Sequence, residues 1–197
     1  MTRTRPPRSI RLPLTTPRLI LREFREDDFD DIHHYGSQPE VCRFMIWGPN
    51  TKEETRDFLD RKLAEQADRT RTKLSVAAEL IGAGRVMGAL ELRVLDAGAR
   101  TGEFGYCFGR EHWNQGYATE AAGALIRAGI EVAGLRRITA NCDQRNLGSW
   151  RVMEKLGLRR EAAFRQDVKA RRGWRDSYHY ALLASEWRAR NSAGGPS

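Results

Sequence analysis

The sequence predicts a mixed α/β (α+β) fold: one domain around a single central sheet, mostly antiparallel. Three observations predict it. Short runs alternate apolar and polar residues with period two through the middle of the chain. The stretch from about Gly116 to Ala133 switches to helical spacing. Strand-like runs then return on the far side of that helix. The resulting order is ββββ-α-β-α-ββ with two early helices, or about seven strands flanked by about four helices in one sheet-and-helix domain.

Each element has a local reason. Leu19-Ile20-Leu21-Arg22-Glu23-Phe24 reads as the first strand. Glu26-Asp27-Asp28 loads acid onto the start of a helix running to about Tyr35, where the helix dipole favours it. Thr51-Lys52-Glu53-Glu54 has the form of a capping box, and Phe58, Leu59 and Leu63 give the following helix an apolar side. Leu74–Leu80 and Val86–Leu95 are strands joined by a turn at Gly82-Ala83-Gly84. Asp96-Ala97-Gly98 ends the second, and Glu103–Phe108 is a third, completing an antiparallel meander.

Ala118, Ala122, Leu125, Gly129 and Val132 form the sheet-facing stripe of the next helix, small enough to lie close, and Gly134 stops it. Arg137–Cys142 is a strand. Asn146 caps a short helix ending at Gly157. Two last strands lie near Leu158–Val168 and Ser177–Leu183. The domain spans residues 13–187. Residues 1–12, rich in Arg, Pro and Thr, read as a loose basic arm, and 188–197 as a polar, disordered tail.

Composition narrows the classes. The 197 residues are 40% hydrophobic and 30% charged, as in a globular protein able to bury a core without disulfides or a structural metal. No apolar run would span a bilayer, and the N-terminus lacks the apolar stretch of a secretory signal. The three cysteines, Cys42, Cys107 and Cys142, are odd in number and unpaired by motif, which fits reduced thiols in the cytoplasm. The four histidines, His33, His34, His112 and His179, lack zinc-ligand spacing, so no metal is expected. The net charge of +8 favours anionic partners, but Arg3, Arg5, Arg8 and Arg11 of the arm supply half of it. With no RNA-binding aromatic signature, no specific nucleic acid and no membrane are expected as partners.

The chemistry concentrates in one strand–turn–helix. Phe104–Phe108 leads into Trp113-Asn114-Gln115-Gly116-Tyr117-Ala118-Thr119, which opens a helix. The first turn of a helix carries unpaired N–H groups and a partial positive charge. A pyrophosphate satisfies both if the backbone can come close. Gly116 has no Cβ to block that approach, Ala118 is nearly as small, and Thr119 adds a hydroxyl. Taken alone the pattern also fits an ordinary tight turn. It is neither a P-loop nor a dinucleotide fingerprint.

In wider context the chain resembles the GNAT N-acetyltransferases, in particular the branch of ribosomal-protein N-terminal acetyltransferases. The ordered segments are Thr16–Arg22, Gly102–Tyr106, His112–Ala121, Asn146–Ser149 with Glu154–Gly157, Trp174–Asp176 and Leu183–Trp187. They span about residues 14–187. One departure stands out. The general family loop begins with Gln or Arg three residues before its first Gly, and here that place holds Trp113.

The resemblance implies acetyl-CoA as co-substrate and a primary amine as acceptor, attacked directly in a ternary complex. It implies a cofactor set of Phe108 (through a backbone N–H), Asn114, Gln115, Gly116, Tyr117, Ala118, Thr119, Asn141, Asn146 and Ser149. Glu103 is the candidate base, through a water if needed, and Ser149 the candidate donor of the thiolate's proton. Bare residues would read differently: a strand-end Glu faces solvent, Asn146 caps a helix, and Ser149 sits unremarkably in its first turn.

Alternation puts Glu103, Gly105 and Cys107 on one face and Phe104, Tyr106 and Phe108 on the other, unless the strand carries the bulge usual in the family. Tyr178, His179 and Tyr180 suit a strand as well as an acid role. His112 packs or caps. Phe44, Met45 and Trp47 shape either an acceptor cleft or the core. The acceptor stays open between a protein or peptide N-terminus and a small-molecule amine. A non-catalytic acyl-CoA-binding or ribosome-associated protein is the reading from another class. A homodimer is compatible with all of these.

Overall fold

The computed structural model describes residues 10–68, 71–171 and 173–193. Among the described residues eight strands form one sheet in the order β1-β2-β3-β4-β5-β6-β8-β7. They are β1 (Leu14–Thr15), β2 (Leu19–Arg22), β3 (Lys73–Leu80), β4 (Val86–Asp96), β5 (Thr101–Phe108), β6 (Arg137–Asp143), β7 (Arg159–Ala170) and β8 (Gly173–Leu183). Six α-helices accompany them in the described residues: α1 (Phe29–Gly36), α2 (Pro39–Cys42), α3 (Lys52–Ala67), α4 (Tyr117–Glu131), α5 (Leu147–Lys155) and α6 (Ala184–Ala193). The counts exceed expectation because two-residue β1, four-residue α2 and terminal α6 are too short or too polar to show a period.

All pairings are antiparallel except β5 with β6. That one parallel pair is held only at Thr101↔Arg137, Gly102↔Ile138 and Glu103↔Thr139. From Phe104 onward the two strands diverge. The β5 edge facing β6 then lacks a partner strand, which leaves backbone groups free to take one from a ligand.

The helices form a layer on each side. Leu21, Leu90, Leu92, Phe104, Phe108, Ile138 and Ala140 meet Ala121, Ala122, Leu125 and Ile126 of α4, Met153 of α5 and Trp187 of α6 in the larger core. On the opposite face Phe24, Ala77 and Cys107 meet Ile32 and Tyr35 of α1, Val41 of α2 and Leu59 of α3. Small residues do bring α4 close. A Cβ on Gly129 would lie 3.0 Å from Leu92 Cδ2 and 3.1 Å from Ile138 Cδ1. Val132 does not share that stripe: it is the cap residue after the last turn and is 42% exposed.

Alternation along β5 runs as expected, and the anticipated bulge is absent from it. The register shift between β4 and β5 falls at Val94/Asp96, before Glu103, so Phe104, Tyr106 and Phe108 share the α4 side while Cys107 faces α1. The capping box of α3 is present: Glu54 N–H donates to Thr51 Oγ1 at 3.2 Å and Thr51 N–H to Glu54 Oε2 at 3.0 Å. At the start of α1 the acids have a deeper role than dipole complement. Asp28 is buried and accepts both Arg22 Nη1 and Nη2, at 2.8 and 2.7 Å.

Ile10 and Leu12 pack on the larger core. Residues 1–9 lie outside the described residues. At the other end α6 runs to Ala193, with Trp187 buried and Arg190 Nη2 donating to Lys155 O at 3.3 Å. Residues 194–197 lie outside the described residues.

Candidate active site

The site straddles the divergence of β5 and β6, with different chemistry on the two faces of the sheet. On the α1–α3 face, Glu103 is the register partner of Arg93. Arg93 Nη2 donates to Glu103 Oε2 at 2.5 Å, and Asn141 Nδ2 donates to Glu103 Oε1 at 2.9 Å. Both carboxylate oxygens are thereby oriented, and Asn141, expected to touch cofactor, spends its amide on Glu103. Beside them is an open cleft of about 170 Å³ lined by Glu91, Arg93, Glu103, Phe104, Gly105 and Asn141. Its floor is Gly105, whose absent Cβ would meet nothing within 4 Å. Glu91 closes the far wall and is braced by Ser75 Oγ and by buried Lys62, whose Nζ lies 3.0 Å from Glu91 Oε2.

On the α4–α5 face, Tyr106 Oη lies 3.0 Å from Ser149 O and 3.1 Å from Ser149 Oγ. The strand puts Tyr106 on that side by alternation, and α5 brings Ser149 to it. Burial, the dominant effect, pushes the Tyr106 phenol well above its ordinary range, so it stays a proton donor at neutral pH. Asn146 caps α5: Ser149 N–H donates to its Oδ1 at 3.1 Å. This leaves its amide nitrogen for a ligand. Cys142 packs nearby, its thiol raised by burial to about 11 and partly opposed by a hydrogen bond with Ser149. Cys107 is also pushed up by burial. Neither is a thiolate at neutral pH, as expected for small core residues.

The turn after β5 is built for close approach. Asn114 and Gly116 both take left-handed backbone, φ 60° and 82°. Gly116 gives α4 no side-chain cap, and the first α4-type hydrogen bond is Glu120 N–H to Gly116 O. The N–H groups of Tyr117, Ala118 and Thr119 therefore have no helical acceptor. Trp113 and Gln115 serve the turn itself: Trp113 Nε1 donates to Phe108 O at 2.8 Å, and Gln115 Nε2 to Glu111 O at 2.6 Å. His112 packs edge-on to Tyr117, as expected of a structural residue.

Sequence reading missed Arg93 and Tyr106 as site residues. Arg93 had no signal, because its role comes from strand register. Tyr106 had one: it shares a face with the cofactor turn. Of the C-terminal aromatics, Tyr180 is buried and bonds Glu154 at 3.1 Å, away from Ser149.

A helix-opening turn with unpaired N–H groups beside a splayed strand pair is an arrangement compatible with an acyltransferase. Comparisons make the class specific. The model of the acetyltransferase (GNAT) domain matches residues 18–159, and the chain belongs to that family. It is 33% identical over 174 residues to the uncharacterised N-acetyltransferase YnaD of Bacillus subtilis (strain 168), covering 88% of this chain and 98% of that one. A GNAT-family acetyltransferase from Bacillus anthracis superposes with TM-score 0.79 at 32% identity, over 89% of this chain and 100% of that one. Spermidine N-acetyltransferase from Vibrio cholerae, in complex with CoA and spermine, shares the fold with TM-score 0.74 at 16% identity, over 88% and 99% of the two chains. The protein is thus an N-acetyltransferase of a family that uses acetyl-CoA. Among the described residues no helix is long and apolar enough to cross a membrane.

Proposed function

We propose that the protein transfers the acetyl group of acetyl-CoA to the α-amine of a protein or peptide N-terminus, by direct attack in a ternary complex. One observation carries the reading: the opening between β5 and β6 has an oriented carboxylate, Glu103, on one face and a hydroxyl pair, Tyr106–Ser149, on the other. The residues present fit the cofactor. The unpaired β5 edge can bond a pantetheine arm, Asn146 has a free amide nitrogen, and the turn at Gln115–Thr119 offers backbone N–H groups to a pyrophosphate.

Acetyl-CoA supplies the activated thioester. Glu103 takes the proton from the amine, directly or through water in the cleft over Gly105. A backbone N–H of β5 towards Phe108 faces the developing oxyanion. Ser149, hydrogen-bonded to Tyr106, delivers a proton to the departing sulfur. An α-amine is the acceptor best matched to a carboxylate base such as Glu103. Its ordinary pKa is about 8, so a large share is already neutral near physiological pH, unlike an alkyl amine near 10.4.

The test is a thiol-release screen of acyl-CoAs against peptides with free N-termini, amino acids, polyamines and aminoglycosides, with product masses. Acetyl-CoA with peptides is the expected productive pair. Release confined to small amines would move the acceptor to that class. CoA binding with no release on any amine would make the protein a non-catalytic binder.

A further inference from the structure

Arg18 reaches the cofactor turn from the start of β2. Its Nη1 donates to Gln115 O at 2.9 Å, its Nε to Glu120 Oε2 at 2.6 Å, and its backbone N–H to Glu120 Oε1 at 2.9 Å. The guanidinium lies 4.4 Å from the centroid of the Tyr117 ring. Its Nη2 is the atom nearest the place where a Gly116 Cβ would stand, at 3.3 Å. Among the described residues Nη2 has no acceptor.

This arrangement addresses an electrostatic problem. Glu120 sits in the first turn of α4. Burial acts to raise its carboxyl, but hydrogen bonds from Thr16 and Arg18 outweigh it and hold the group below the ordinary range. A fixed anion one turn from a pyrophosphate would repel it. Trp113 offers no compensating charge, since its side chain is neutral and its indole N–H is engaged by Phe108 O.

We propose that Arg18 is the cation of the pyrophosphate cradle: Glu120 and Gln115 O aim its guanidinium, and Nη2 donates to a phosphate oxygen over Gly116. Arg18 thereby supplies in space the positive charge that the turn Trp113–Thr119 lacks in sequence. A planar fork suits this, because one edge can hold Glu120 while the other reaches the ligand. The inference rests on the reading that this turn binds coenzyme A.

Calorimetry with CoA, 3′-dephospho-CoA and pantetheine tests it on the wild type, Arg18→Ala, Arg18→Lys and the double variant Arg18→Ala/Glu120→Gln. Arg18→Ala should weaken CoA and 3′-dephospho-CoA alike by about tenfold or more, the size of one charge-assisted hydrogen bond. The loss should vanish with pantetheine. Adding Glu120→Gln should recover part of the affinity, because it removes the uncompensated anion. Arg18→Lys, which keeps charge but loses the fork, should fall between, and it carries the test if Arg18→Ala does not fold. CoA affinity within twofold of wild type, or an equal loss with pantetheine, would overturn the assignment. A loss seen with CoA but not 3′-dephospho-CoA would place Arg18 at the 3′-phosphate and overturn the pyrophosphate contact. A wild type that binds no CoA would instead overturn the cofactor reading itself.

Discussion

Arg93 and Glu103 stand opposite each other on β4 and β5, with guanidinium and carboxylate 2.5 Å apart at the edge of the cleft over Gly105. The pair is partly exposed, so its worth to stability is small. Its value is orientation. With Asn141 on the other oxygen, the carboxylate has one direction to face.

Glu103→Gln should lower kcat by about a hundredfold or more, the range of general-base catalysis, with CoA affinity unchanged. Arg93→Met should lower kcat less, and the double variant should be no worse than Glu103→Gln alone, because both changes disable one unit. Steady-state kinetics beside CoA calorimetry checks this. Unchanged turnover in Glu103→Gln would remove it as base.

Gly105→Val should separate folding from acceptor binding. Its new side chain meets open space and sits in a strand, where β-branching is favoured, so stability should hold within about 0.5 kcal/mol. The acceptor KM should rise about tenfold or more because the cleft is filled. Gly88 provides the contrast. A Cβ there would lie 2.3 Å from Cys107 O, so Gly88→Val should be strongly destabilised in urea unfolding.

Ser149→Ala and Tyr106→Phe should each slow turnover about tenfold, and their combination should be less than additive, since the two hydroxyls share one contact. An acetyl thioester of a thiol more acidic than coenzyme A should narrow the deficit, as a better leaving group needs less proton donation. Equal deficits on both thioesters would place these residues in structure rather than chemistry.

The Cys142 thiol predicts an alkaline limb in stability. Burial raises it from 9.0 in the unfolded chain to about 11 in the folded one. Its contribution is intact below pH 9 and is lost as pH rises towards 11, because the unfolded chain releases the proton first. Urea unfolding between pH 8 and 11 should show stability falling, and Cys142→Ala should reduce the slope by up to about 1.4 kcal/mol per pH unit. An unchanged slope would refute the assignment.

Much of the fold was legible because it is written locally. Period two in Glu103–Phe108, the Thr51–Glu54 box, the small stripe of α4 and the Asn146 cap depend on neighbours a few residues away. So does the opening at Gln115–Thr119: Gly116 takes positive φ, and the first turn of α4 keeps its N–H groups free. Short β1 and α2 escaped because two or four residues cannot display a period.

What only the tertiary structure decided is how the site is held. Arg93 meets Glu103 because β4 and β5 pair in one register, and a shift of one residue would put it on the other face. Tyr106 meets Ser149 because β5 and α5, 43 residues apart, pack on one side of the sheet. Arg18 reaches Gln115 across 97 residues because β2 begins beside α4. Sequence specifies such contacts only through the energy of the whole core, so local patterns name the parts of this acetyltransferase but not the partners that aim them.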